Sequence, residues 1–290
     1  MTACLDALSR RGCRARVVET TAPGEAETIA RAADPGETDA IVAAGGDGTI
    51  HEIVNGLCGT TLPLGIIPLG TANVLAAELG QDPAPDRVAD TLARGRRWRV
   101  RLGRIDSVGF ASLSRAATPV GRRFLLMAGA GLDAQVVASV NLGLKRLAGK
   151  FAYVWGACVE AFSYRFPPLT VRIDDVAHAA FGAIVCRARH YGGAFIVAPR
   201  ARLNADMFQV CLLKQPGAVN ALRYATALMR GNLAAQADVE IMMARHIVID
   251  GPAGAPVQVD GDIRARLPAV IDMAQETIEL IVPANGPLDD

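Results

Sequence analysis

Three short stretches carry residue types and spacings that could do chemistry. The first is Val42-Ala-Ala-Gly45-Gly46-Asp47-Gly48-Thr49-Ile50-His51-Glu52. A buried-strand pattern runs into glycines and then into a helix start. Glycines let a backbone approach a phosphate closely, and a helix N-terminus adds unpaired N–H groups and a positive dipole end. Thr49 and Glu52 have the spacing of a capping box. An ordinary tight turn needs glycines too, but the Asp-Gly-Thr that follows favours a phosphate cradle. Walker A and dinucleotide fingerprints are absent: no G-x-x-x-x-G-K-[ST] occurs, and Gly46-x-Gly48-x-x lands on His51.

The second stretch is Pro68-Leu-Gly-Thr71-Ala-Asn73-Val-Leu, another strand–loop–helix junction. Open α/β sheets bind ligands at the carboxyl ends of their strands, so Thr71 and Asn73 are expected to face the same crevice as Asp47. A plain helix cap is the competing reading for Thr71. The third stretch, Val259-Asp260-Gly261-Asp262, is a tight turn that presents a carboxylate after a strand. By itself it reads as a hairpin tip, with Asp260 in the turn.

The elements around these stretches fall into two textures. Residues 1–98 alternate helix and strand: helix Leu5–Arg11, strand Arg16–Glu19, helix Gly24–Ala33, strand Asp39–Ala44, helix Ile50–Leu57, strand Leu64–Ile67 and helix Ala72–Leu79. The continuous apolar run Asp39–Ala44 reads as a strand covered on both faces. Such alternation predicts an α/β domain with a mostly parallel, doubly wound sheet. Residues 99–290 read as a mainly antiparallel β domain. Its expected strands are Arg99–Val108, Phe124–Met127, Leu169–Asp174, Gly182–Arg187, Phe208–Leu213, His246–Asp250, Val257–Asp260 and Ile278–Val282. One long helix is expected at about 144–164, and 251–256 reads as a hairpin loop.

Composition narrows the possibilities. With 290 residues, 51% hydrophobic and 20% charged, the chain can bury a large core, which excludes general disorder. A net charge of +1 argues against a nucleic-acid binder. Six scattered cysteines without a C-x-x-C pair point to a reduced, cytoplasmic setting. Residues 53–77 lack charge, but their prolines and glycines fit strand and loop rather than a membrane span. The start MTACLDALSRRG has no apolar core of a signal peptide.

VAAGGDGTIHEIVNGL followed by LGIIPLGTANVLAAELG resembles the diacylglycerol kinase/sphingosine kinase-like lipid kinases, the bacterial soluble type included. Further matches follow in the family's order: Gly131-Leu-Asp133-Ala134, Lys145 with Gly149 and Tyr153, Tyr191-Gly-Gly193 with Ala198-Pro199, and Val259-Asp-Gly-Asp262. The resemblance implies a three-layer α/β nucleotide domain and a β-sandwich-like lipid-binding domain, with ATP in the cleft between them. It implies that Gly45, Gly46, Asp47, Gly48, Thr49, Ile50 and His51 hold ATP, and that Asp47 belongs to the Mg²⁺ and phosphate network. Thr20, Thr71 and Asn73 are its further nucleotide contacts. Asp262 stands where the family has the glutamate of Asp-Gly-Glu, its general base. A lipid alcohol is the implied substrate, with peripheral membrane contact and a possible homodimer as further associations.

Several positions depart from the family pattern. The opening strand with its Asn-Pro-x-Ser-Gly loop is expected to be missing from this shortened N-terminus. His51 replaces Asn, Val74 and Arg101 each replace Asp, and Asn204-Ala205-Asp206 replaces the Asp-Asp-Gly of a structural Mg²⁺ site. Two rivals therefore stand beside the kinase reading. One is a non-catalytic regulatory protein that binds lipid or nucleotide. The other is an NAD kinase-like enzyme, which shares Gly-Gly-Asp-Gly but not the Pro-Leu-Gly-Thr-Ala-Asn junction.

Two basic clusters remain. Arg94, Arg96, Arg97, Arg99, Arg101 and Arg104 crowd around Trp98, as either a patch for anionic lipid or a solvated strand face. The helix with Lys145, Arg146, Lys150, Trp155 and Phe162 reads as core, with a bilayer-facing alternative. His178, His190 and His246 lack metal-ligand spacing.

Overall fold

The second strand of the first unit is buried on both sides, and the layers follow from that. The computed structural model describes residues 1–107, 121–139 and 164–286. They divide into one unit of 1–102, 192–194 and 275–286, and a second of 103–107, 121–139, 164–191 and 195–274. In the first, β1 (Ile41–Gly45) and β2 (Leu64–Pro68) pair in parallel, Ile41 beside Leu64 through Gly45 beside Pro68. The end of β16 (Ala269–Val282) lies parallel to β2 at Leu280 and Leu64.

On one face of β2, Gly65 and Ile67 meet α5 (Pro85–Arg94) and α1 (Thr2–Arg10). A Cβ on Gly65 would stand 2.3 Å from Leu92 Cδ2, and Ile67 joins Cys4, Leu8 and Val88 in one apolar cluster. Leu64 and Ile66 point the other way and are buried as well, which makes a helix–sheet–helix arrangement. The helices α2 (Glu25–Arg31) and α3 (Asp47–Leu57) cross at Gly56, where a Cβ would come 2.3 Å from the Glu27 carbonyl oxygen.

Two strand expectations fail in this unit. Arg16–Glu19 is not a strand: the segment forms no ladder, and Val17 and Val18 are about half exposed. Nor is β1 covered on both faces. Val42, in register with Gly65, stays 36% exposed, because α5 lies over β2 and leaves β1 open.

The second unit is a β-sandwich. One sheet contains β6 (Leu169–Ile173), β7 (Val176–Ala180), β13 (His246–Asp250) and the start of β16, all antiparallel. The other runs in the order β12 (Val239–Ala244), β11 (Phe208–Leu213), β8 (Gly182–Cys186), β5 (Met127–Gly131), β14 (Pro256–Val259) and β15 (Asp262–Arg266). Val171, Ile173, Ile247 and Ile271 from the first sheet share a core with Val185, Val210, Leu212 and Val257 from the second. On β6 the alternate residues Thr170 and Arg172 are exposed, as a half-buried strand requires.

The stretch 251–256 is not a hairpin loop. It carries the chain from β13 in one sheet to β14 in the other, folded back by Gly254 N–H donating to Leu267 O at 2.9 Å. Between β11 and β12 lies α7 (Ala218–Met229), a helix not foreseen from the sequence. The helix expected at 144–164, with Lys145, Arg146, Gly149, Lys150, Tyr153, Trp155 and Phe162, lies outside the described residues but for Tyr164.

The arginines of β3 (Arg96–Ser107) follow the alternation of the strand. Arg96, Arg99, Arg101 and Arg104 are exposed while Val100, Leu102 and Ile105 are buried, and Arg99 pairs with Glu279 at 2.9 Å. They lie on the exposed face of an alternating strand, which fits a solvated face and a patch for anionic lipid alike. Among the described residues the cysteines are free thiols, and no helix is long and apolar enough to cross a membrane.

Candidate active site

In the first unit the two glycine junctions lie against each other, backbone to backbone. Leu69 N–H donates to Gly45 O at 3.0 Å. A Cβ on Gly70 would stand 2.5 Å from Gly46 Cα, so the second loop tolerates no side chain there; a Cβ on Gly46 would be 3.3 Å from Gly70 Cα, a tight contact. Asn73 sits in the left-handed region (φ 48°), and its side chain closes the second loop on itself. Its Oδ1 accepts from Gly70 N–H at 2.9 Å, and its Nδ2 donates to Gly70 O at 2.7 Å.

Asp47 ties the two junctions together. Its Oδ2 accepts from Val74 N–H at 3.1 Å and its Oδ1 from Leu75 N–H at 3.2 Å. These donors belong to the first turn of α4 (Val74–Glu78), so the Asp47 carboxylate caps that helix from another element. The capping box expected of Thr49 and Glu52 does not form, because α3 starts at Asp47, with Gly46 as its N-cap. Thr49 folds over Gly45 instead, its Oγ1 2.6 Å from where a Cβ would be. Glu52 Oε1 accepts from Gly24 N–H at 2.8 Å, at the start of α2.

The remaining nucleotide candidates divide by exposure. Thr71 is exposed on the loop before α4, and Thr20 on the segment before α2. Ile50 and His51 are buried, at 4% and 1% exposure, so their side chains belong to the core. Asn73 makes its side-chain hydrogen bonds with the Gly70 backbone.

In the second unit Asp262 begins β15 directly after a two-residue turn. Asp260 (φ 49°) and Gly261 (φ 88°) are both left-handed, the geometry of the tight hairpin turn that pairs Val259 with Asp262. Asp260 is far more than a turn residue. It is 4% exposed, and its carboxylate accepts from the N–H groups of Leu125, Leu126 and Met127 at 2.9, 2.9 and 3.0 Å. Asp262 is half-buried and pairs with Arg264 at 3.2 Å.

Residues 2–105 match the diacylglycerol kinase catalytic domain, and residues 127–282 match the YegS C-terminal NAD kinase beta sandwich-like domain, which alone spans more than half of the chain. The chain belongs to the diacylglycerol kinase and YegS-like lipid kinase family. A diacylglycerol kinase of Bacillus subtilis (strain 168) is 29% identical over 272 residues, covering 91% of this chain and 84% of that protein. One of Mycobacterium tuberculosis (strain ATCC 25618 / H37Rv) is 27% identical over 271 residues, covering 90% and 82%. A crystal structure of a diacylglycerol kinase from Bacillus anthracis str. Sterne shares the fold, with a TM-score of 0.75, 18% identity, and coverage of 97% of this chain and 90% of that one. With relatives of these names, the protein is a lipid kinase.

One site expected of this lipid kinase family is filled by protein. The carbonyls of Leu203, Ala205 and Met207 surround the position of the replaced Asp-Asp-Gly. They converge on the fully buried Arg187, whose Nη1 donates to Ala205 O at 2.6 Å and whose Nη2 donates to Leu203 O. The guanidinium also lies 5.8 Å from the centre of the Phe208 ring. A fixed cation already holds these oxygens, and they do not fit a divalent ion. Among the described residues, no cluster of three or more His, Cys, Asp or Glu side chains offers a metal site. What does fit the lipid kinase reading is Mg²⁺ carried by a triphosphate, which needs only one or two carboxylates from protein.

The sequence alone assigns no role to Tyr191, Gln258 or Asp133. Asp133, in the first turn of α6 (Leu132–Ser139), accepts from Tyr191 O–H and from Gln258 Nε2 at 3.0 Å. Burial raises its carboxyl above the usual carboxylate range, against the lowering effect of these two hydrogen bonds.

Proposed function

We propose that this lipid kinase transfers the γ-phosphoryl group of ATP, bound with Mg²⁺, to the hydroxyl of a lipid alcohol such as diacylglycerol or a sphingoid base. The observation that carries the reading is the side-chain-free contact of Gly46 with Gly70, locked by Asp47. A surface of backbone alone, beside the first turn of α3, is what a polyphosphate needs. Gly48 and Thr49 offer first-turn N–H groups that have no acceptor within the helix. Exposed Thr71 and Thr20 are the proposed hydroxyl contacts to the nucleotide, and Asp47 the proposed acid at the metal. Mg²⁺, when bound, neutralises charge on the phosphates.

Phosphoryl transfer asks the protein for positioning and charge rather than covalent chemistry. The alcohol oxygen forms a bond to the γ-phosphorus, the bond to the β,γ-bridging oxygen breaks, and ADP leaves. Asp262 takes the proton of the attacking hydroxyl. Its lipid substrate resides in a bilayer, so the enzyme works in peripheral contact with a membrane surface.

The test is direct. Purified protein is incubated with γ-labelled ATP, Mg²⁺ and mixed micelles of diacylglycerol, sphingoid base or ceramide, and the lipids are separated. Label in the phosphomonoester of one lipid is expected. Absence of label from every lipid, at a protein concentration where MgATP binding is measured, overturns the transfer reaction.

A further inference from the structure

The turn that presents Asp262 is held from behind by a chain of hydrogen bonds whose polarity runs one way. Gly261 N–H donates to Gln258 Oε1 at 2.9 Å, and Gln258 Nε2 donates to Asp133 Oδ2 at 3.0 Å. Tyr191 O–H donates to the other oxygen, Asp133 Oδ1. Gln258 is 2% exposed, and Asp133 lies so close to Gly129 that a Cβ there would stand 1.9 Å from Oδ2. Gly129 is also the register partner of Gln258 across the β5–β14 ladder, so the strand leaves a gap where the carboxylate enters.

An amide has one accepting and one donating end, and only the accepting oxygen can face the Gly261 N–H. A carboxylate only accepts, so Asp133 forces the nitrogen of Gln258 toward itself and the oxygen toward the turn. Tyr191 in turn fixes the carboxylate's rotation. We propose that Asp133, through Gln258, is a positioning residue that sets the Asp260–Gly261 turn and thereby the direction of the Asp262 carboxylate. Asp260 anchors the same turn from its other residue, by the three N–H groups of Leu125–Met127. With both turn residues clamped, the first side chain of β15 has a fixed origin. This inference rests on the reading of Asp262 as the general base.

Its test is a double-mutant cycle with an independent structural readout. Gln258→Leu and Tyr191→Phe are each made in the wild-type and in the Asp262→Asn background. Misplacing a catalytic group by a fraction of an ångström to 1 Å costs on the order of 10- to 100-fold in rate. Gln258→Leu is therefore expected to lower kcat by about that factor, with KM for MgATP unchanged, and to cause no further loss in the Asp262→Asn background. Tyr191→Phe removes a single hydroxyl and keeps the test open should Gln258→Leu fail to fold; its loss is expected to be smaller and equally absent from the second background. Amide hydrogen exchange at Gly261 is expected to speed up in both variants. Equal losses in the two backgrounds, or an unchanged kcat in Gln258→Leu while Asp262→Asn is impaired, overturn the positioning role alone. Wild-type turnover in Asp262→Asn overturns the base reading itself.

Discussion

The carboxylate of Asp47 and the backbone of Val74 and Leu75 join two loops that are 27 and 28 residues apart in the chain. An acid that the family resemblance places in the metal and phosphate network also ties the two glycine junctions together. Asp47→Ala removes the acceptor of two helix-start N–H groups, and losing such a cap costs about 0.5–2 kcal/mol. Both the melting temperature and MgATP affinity are expected to fall. Asp47→Asn keeps one acceptor, so it is expected to recover much of the stability while remaining weak for MgATP. Scanning calorimetry and titration calorimetry of the two variants separate the roles; full MgATP affinity in Asp47→Asn removes Asp47 from the phosphate and metal network.

Gly70→Ala tests the contact of the loops. Its methyl would enter the space of Gly46 Cα at 2.5 Å, where the obstacle is backbone and cannot rotate away. Overpacking of this kind costs about 1–3 kcal/mol. A drop in melting temperature with at least a tenfold loss of MgATP affinity is expected; unchanged nucleotide binding would show that the cradle lies elsewhere.

How much of this was legible in the sequence depends on how local each signal is. The boundaries of β11 and β13 coincide with the expected runs Phe208–Leu213 and His246–Asp250, because apolar stretches of strand length bounded by turn residues leave few alternatives. Arg16–Glu19 has the same local composition as a strand, yet a strand exists only through a partner, and none pairs with it. Helix α5 starts with Pro85 at its first position, a readable signal that its charged sequence masked. At the proposed site, the meeting of the two glycine junctions at the ends of adjacent parallel strands was legible from type and order. The role of Asp260 was not, since an Asp-Gly turn looks alike whether its acid faces solvent or three backbone N–H groups 133 to 135 residues away.

Arg187 gives a prediction about metal. If its guanidinium replaces a structural divalent ion, the melting temperature of the wild type is expected to be the same with EDTA as with Mg²⁺. Arg187→Met orphans the carbonyls it holds, at about 1–3 kcal/mol for each buried group left unsatisfied. Unfolding followed by near-ultraviolet circular dichroism checks both. A melting temperature that EDTA lowers and Mg²⁺ restores in the wild type contradicts the substitution of cation by arginine.

Asp133 gives a pH dependence with a definite sign. Burial raises its folded-state pKa above that of the unfolded chain. The associated stability is complete below the unfolded value, near the ordinary ~3.9 of aspartate, and is lost as pH rises through the raised folded value. Asp133→Asn has no such titration. The stability of the wild type relative to Asp133→Asn is therefore expected to decline as pH rises from about 4 toward neutrality. Urea unfolding of both proteins across that range measures it, and a constant difference contradicts the buried carboxyl's titration.

The most direct measurement is the turnover of Asp262→Asn on the lipid that the wild type phosphorylates, with MgATP affinity determined in parallel. General-base assistance is worth roughly 10²–10⁴-fold. A fall in kcat of that size with MgATP affinity unchanged, and substantial activity retained in Asp262→Glu, is the expected result. An Asp262→Asn enzyme that turns over at the wild-type rate contradicts the assignment of Asp262 as the base that accepts the lipid hydroxyl's proton.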